Sequence, residues 1–146
     1  MRILLLVVFC LSASIAFCQT KGNQFVRFEH VGPEDKPFYS LTVSTGKESI
    51  PKIDRQSVFE QVVIATAASY ADLCTGIKQN SYLKMTARHL KGDATFYKVT
   101  ANGVSFMLDG GNAFMFFRKL TLFMRKKPAD KEIADKLDRI NTRIGR

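Results

Sequence analysis

Around Asn102-Gly103 the chain alternates apolar and polar residues in both directions. Both turn residues tolerate positive φ, and Asn-Gly is the strongest two-residue hairpin signal. With the turn there, Ala101 faces Val104, Val99 faces Phe106 and Tyr97 faces Leu108. All six share one face, with Lys98, Thr100 and Ser105 on the other, and a one-residue slip would scramble that agreement. A second glycine pair, Gly110-Gly111, reads as the next turn, and Lys91-Gly92-Asp93 as the one before. The pattern therefore predicts a four-stranded antiparallel meander over residues 82–90, 94–101, 104–109 and 113–125.

Upstream, Phe25 to Val31 and Phe38 to Ser44 read as an N-terminal β-hairpin across the loop 32–37. In the second of these strands Tyr39, Leu41 and Val43 alternate with Ser40, Thr42 and Ser44. Residues 45–54 are irregular, broken by Gly46 and Pro51. Ser57 and Glu60 have capping-box spacing, and Phe59, Val63, Ala67, Tyr70 and Cys74 recur every three or four residues. A helix over 57–74 is expected, ended by Gly76. Val62-Val63-Ile64 favours a strand locally, but four alanines between 65 and 71 and the segment's length favour helix.

The C-terminal segment from Pro128 to Ile144 is an amphipathic helix. Ile133, Leu137, Ile140 and Ile144 form one stripe, with the acid-before-base pairs Glu132–Lys136 and Asp135–Arg139 on the wet side. Pro128 suits a first helical turn. A membrane-surface role for this helix would need more aromatic bulk and fewer acids, so it is read as a cover for the sheet. The expected fold class is α+β: N-terminal hairpin, helix, four-stranded antiparallel meander, and the C-terminal helix packed on the sheet.

That arrangement leaves a second apolar row. Phe114, Phe116, Leu120, Leu122 and Met124 lie opposite Ala113, Met115 and Phe117, and in this register Phe96 and Met107 neighbour them. The helices can shield only one sheet face, so the other requires the N-terminal hairpin, a second copy of the chain, or an apolar ligand.

The N-terminus changes where this domain is expected to work. Arg2 precedes an apolar and small-residue run from Ile3 to Cys18, the form of a secretory signal peptide, with cleavage expected after Cys18. A lipid-modified Cys18 would want a small residue before it, and Phe17 is large; an uncleaved anchor is the other alternative. The division is then a signal peptide at 1–18, a flexible polar stretch at 19–24 and one domain over 25–146. Processing leaves 128 of 146 residues, enough for a single core that buries about two-thirds of the unfolded surface. Cys74 is the one remaining thiol, so no internal disulfide is expected; beside Leu73 it reads as a buried small hydrophobe.

Without Arg2 the chain carries 21 Lys and Arg against 13 Asp and Glu, a net of +8. That favours anionic partners, and export disfavours nucleic acid among them. The densest cluster, Arg125-Lys126-Lys127, follows the last apolar run. Catalytic signals are sparse. His30 and His89 have no zinc-ligand spacing, and no Gly-x-Ser-x-Gly elbow or phosphate loop occurs. Asp93 and Asp109 are expected to cap turns rather than hold calcium. No cofactor or metal is implied. The expectation is an exported, non-catalytic binding protein of the periplasm or cell envelope. Its binding surface would comprise Phe96, Met107, Phe114, Phe116, Arg118, Lys119, Arg125, Lys126 and Lys127. Its partner would be another protein or a second copy, with peripheral envelope contact also open. The alternatives are a carrier of an apolar or amphiphilic ligand between sheet and helix, and a small hydrolase using His30 or His89.

Overall fold

The computed structural model describes residues 24–32, 37–46, 58–64, 66–84 and 95–144. The signal-peptide segment, most of the polar stretch after it, Ser57 of the expected capping box, the turn at 91–93 and His89 lie outside the described residues.

The protein is α+β; the described residues form a five-stranded mixed sheet and three helices. In chain order these are β1 (Phe25–Val31), β2 (Pro37–Ser44), β3 (Val58–Val63), α1 (Ala67–Asn80), β4 (Phe96–Ala101), β5 (Val104–Leu108), α2 (Gly110–Met124) and α3 (Lys131–Ile144). The strand order across the sheet is β3-β2-β1-β4-β5. β1 runs antiparallel to both β2 and β4, β4 antiparallel to β5, and β2 parallel to β3. The unit β3–α1–β4 is thus a split βαβ whose strands flank the N-terminal hairpin.

Successive residues of a strand point to opposite faces. The register therefore aligns Val26, Phe28, Leu41, Val43, Val62, Val99 and Ala101 on one face. These residues join Tyr70, Leu73, Ile77, Phe116, Phe117, Leu120, Ile133 and Leu137 in one buried cluster, so all three helices cover that same face. The opposite face is mainly hydroxyl and charged: Arg27, Glu29, Ser40, Thr42, Ser44, Lys98, Thr100 and Ser105, with Phe96 and Met107 among them. Arg27 Nε donates to Thr42 Oγ1 at 3.4 Å, and the Thr100 and Ser105 hydroxyls pair at 2.8 Å.

The hairpin at Asn102-Gly103 has the expected register, with φ of 49° and 81° at its two turn residues. Both N-terminal strands are present, as is the C-terminal helix, which is entered through a 3-10 turn at Pro128–Asp130. Ile133, Leu137 and Ile140 are buried, and Ile144 packs at the edge of the core.

Three expectations are overturned. Among the described residues the meander is reduced to the β4–β5 hairpin; residues 110–124 form a helix, so Gly110-Gly111 opens α2 instead of turning a strand. Asp109 is the physical reason. Its Oδ1 accepts from the Asn112 amide at 2.8 Å and its Oδ2 from the Asn112 side chain at 2.9 Å, a helix N-cap. Upstream, Ser81–Leu83 is a single 3-10 turn, and residues 85–90 of the expected strand lie outside the described residues.

The expected helix 57–74 divides in two. Val58–Val63 pairs with β2 as a strand, satisfying β-branched Val58, Val62 and Val63, and α1 starts after Thr66, whose hydroxyl accepts from the Ser69 amide at 3.2 Å. Gly76 does not end that helix. It sits inside α1, where an added Cβ would lie 2.7 Å from Leu120 Cδ1 and 2.9 Å from Phe123 Cδ1. The missing side chain lets α1 approach α2.

The N-terminal hairpin, finally, does not fold over the sheet: β1 is its middle strand. With Phe114 and Phe116 on a helix, the second apolar sheet face that needed cover is not formed.

Phe116 is fully buried, with its ring 5.4 Å from that of Phe117 and 5.8 Å from that of Phe106. Phe116→Ala is expected to cost about 3–5 kcal/mol in denaturant unfolding. Phe116→Glu is expected to abolish the folded state, read as loss of the cooperative transition.

Candidate functional site

The helix α2 has two unlike sides. Its inner side buries Ala113, Phe116, Phe117, Leu120, Thr121 and Met124. Its outer side presents Met115, Arg118, Lys119 and Leu122, which follow one another at helical spacing. Leu122 is 56% exposed and Met115 40%, so two long apolar side chains stand in solvent among cations. Tyr82, 63% exposed on the 3-10 turn after α1, receives a hydrogen bond from Lys119 Nζ, which also lies 5.0 Å from its ring centroid. One turn beyond Leu122, the Lys126 ammonium lies 5.6 Å from the half-buried Phe123 ring.

The nine residues expected to form one binding surface are not brought together as such. Phe96, buried, and Met107, half-buried, are on the sheet face away from the helices. Phe116 is in the core and Phe114 half-buried on α2. Two of the five cations hold the helices to one another. Arg125 Nη2 bonds Asp138 Oδ2 at 3.0 Å and lies 4.0 Å from Asp135 Oδ1, tying α2 to α3. Lys127 pairs with Asp72 of α1, which raises its pKa. Arg118, Lys119 and Lys126 meet no carboxylate among the described residues. Met115, Leu122 and Tyr82 belong beside them and were not among the expected residues. The signal that finds them is a helical reading of 110–124.

Charge is segregated along the chain. From Leu73 to Lys127 there are ten Lys and Arg and two Asp and Glu, whereas the flanking segments of the processed chain are balanced. α2 itself contains no acid.

A second cluster, unforeseen from the sequence, lies at the end of the sheet away from the Asn102 turn. His30 stacks on Tyr97 with centroids 4.5 Å apart and meets the Phe38 ring edge at 5.5 Å. The Arg143 guanidinium of α3 lies 4.3 Å from the Tyr39 ring centroid, and Lys136 Nζ bonds Glu60 Oε2 at 2.7 Å. Burial lowers the His30 pKa, so its ring is neutral at pH 7. Burial, with the Glu60 charge, pushes the Tyr39 hydroxyl up to about 12. Burial alone would raise Glu60, but the Lys136 bond and charge, with Arg139 and Tyr39, bring its carboxyl below the usual range. This cluster fastens β3 to α3 through an ion pair.

A cysteine–histidine pair is incompatible with this geometry for His30. Cys74 lies at the opposite end of β4, with Asn102 Nδ2 3.9 Å from its sulfur, while His30 pairs with Tyr97; the intervening strand spans roughly 16 Å. Tyr70 donates to Asn102 Oδ1 at 2.8 Å, so the same asparagine makes the turn and anchors it to α1. Cys74 is half-buried and free; burial raises its pKa, against the opposing effect of bonds to Tyr70 and Asn102. Among the described residues no group of three or more His, Cys, Asp or Glu could hold a metal ion, and no helix is long and apolar enough to cross a membrane. No protein-family profile matches the chain, and neither a curated protein nor a solved structure matches it.

Two expected outcomes follow from these electrostatics. The Cys74 thiol should alkylate more slowly at neutral pH than free cysteine, measured by the rate of iodoacetamide labelling in the native protein. Because the folded His30 pKa lies below the ordinary 6.5, the unfolded chain binds the proton first as pH falls. His30 therefore contributes stability above 6.5 that is lost below it, and thermal unfolding across that window should show a smaller loss for His30→Phe.

Proposed function

We propose that this chain is an exported, non-catalytic binding protein of the periplasm or cell envelope, and that it works through the outer side of α2. The observation that carries this reading is the acid-free row Met115, Arg118, Lys119, Leu122, in which exposed apolar and cationic groups share one helix face. Solvated helix faces ordinarily mix both signs of charge and leave few long apolar side chains in water. The N-terminal signal pattern supports export.

The row favours an anionic partner. Self-association through it is disfavoured, because a two-fold contact sets each patch against its own copy and opposes Arg118 and Lys119 to the same cations. A sheet surface built on Phe96 and Met107 is the weaker candidate, since the residues around them are mostly polar.

The test is fractionation of cells exporting the protein. The triple substitution Arg118→Gln, Lys119→Gln and Leu122→Ser should move the protein from the envelope-bound to the soluble exported fraction, with Tm unchanged within about 1 °C. An unaltered distribution would sink the reading.

A further inference from the structure

We infer that the partner of the α2 face is the anionic head-group surface of a phospholipid bilayer, on which the protein lies peripherally with α2 in the plane of the interface. The inference rests on the functional reading above and narrows it to one partner chemistry.

Three observations favour lipid over an acidic protein. The exposed apolar groups are separated: Met115 and Leu122 stand two turns apart with Arg118 and Lys119 between them. A protein interface has a contiguous apolar core that excludes water, with charges displaced to the rim. A bilayer surface imposes no such segregation. Isolated apolar side chains enter the acyl boundary while neighbouring cations remain among phosphates.

The second observation is Tyr82, whose hydroxyl accepts from Lys119 while its ring is mostly exposed. A wet tip and an apolar body suit the head-group level, where tyrosine is enriched.

The third is the shape of the charge distribution. The row from Met115 to Leu122 runs about 10 Å along the helix axis, and Lys126 follows in the turn after α2. Arg118, Lys119 and Lys126 meet no carboxylate among the described residues, while Arg125 and Lys127 are paired to α3 and α1. The mixed-charge helix α3 differs on this point, carrying Glu132, Asp135 and Asp138. A one-signed row beside balanced segments orients the molecule in the field of an anionic leaflet, which attracts basic residues within about a Debye length.

The experiment is vesicle co-sedimentation with protein purified from the exported fraction. Vesicles are phosphatidylcholine alone, or phosphatidylcholine with about one-third phosphatidylglycerol, the second carrying the negative surface potential. Binding is expected to the anionic vesicles, to fall as salt rises, and to be absent from the neutral ones. Arg118→Gln with Lys119→Gln should weaken it about 25-fold, roughly fivefold for each charge lost. Leu122→Ser should weaken it further, while Lys98→Gln, on the far face of the sheet, should leave it near the parent value.

Equal loss with Lys98→Gln, or no loss with the α2 variants, overturns the proposal. Absence of vesicle binding, with envelope association that disappears after trypsin treatment of the envelopes, identifies an acidic protein. That result overturns the lipid proposal and leaves the functional reading standing. Absence of both kinds of binding overturns both.

Discussion

Two adjacent phenylalanines, Phe116 and Phe117, must both be buried, and much of the remaining structure follows from how that is done. Neighbouring residues on a helix are about 100° apart, so burying both requires a wide apolar arc. Phe117 is met edge-on by Phe28 of β1 at 5.6 Å and by Tyr97 of β4 at 5.8 Å. Phe116 is met by Phe106 of β5 at 5.8 Å. These contacts span three strands and fix the rotation of α2 about its axis. With that rotation set, Arg118 and Lys119 have only the solvent side left to occupy. The apolar and basic row outside and the aromatic cluster inside are two results of one packing requirement.

The helix is held at its borders by devices of modest individual worth. Asp109 caps its start; Arg125 and Lys127 tie its end to α3 and α1. Exposed ion pairs contribute little to stability singly. What they do here is neutralise the cations nearest the other helices, so that the unneutralised ones gather on the outer side. Gly76 has a comparable steric role, since any side chain there would hold α1 away from Leu120 and Phe123.

The parts of this architecture legible in the sequence were those where local chemistry and periodicity agree. Asn102-Gly103 has both the turn residues and a symmetrical pattern around them. Ile133, Leu137, Ile140 and Ile144 fit only a helix. The stretch from Phe114 to Met124 fits two periods, because it is apolar almost throughout: read every second residue it gives a strand, read every third or fourth it gives α2. Asp109 and Asn112 decided between them, and an Asp-Gly-Gly sequence is also a hairpin signal. At Val58–Val63 a capping-box spacing competed with β-branched residues, and pairing with β2 decided the outcome. The candidate site was half legible. Its cations Arg118, Lys119 and Lys126 are visible in the sequence, but their apolar companions join them only when residues 110–124 take a helical period. The cluster around His30 and Tyr39 could not be read at all, since it joins β1, β2, β3, β4 and α3 across more than a hundred residues.

The strand order has an implication for how the chain assembles. β1 is the middle strand, yet its second neighbour is far along the chain: Val26 is set against Ala101, seventy-five residues later. Until β4 and α2 have been made, β1 has a neighbour on one side only, and the apolar face of the first three strands lacks Phe117, whose ring packs on Phe28. Closing so long a loop is entropically slow. The central ladder therefore forms late, and a chain emerging from the ribosome cannot complete its sheet until most of its length exists.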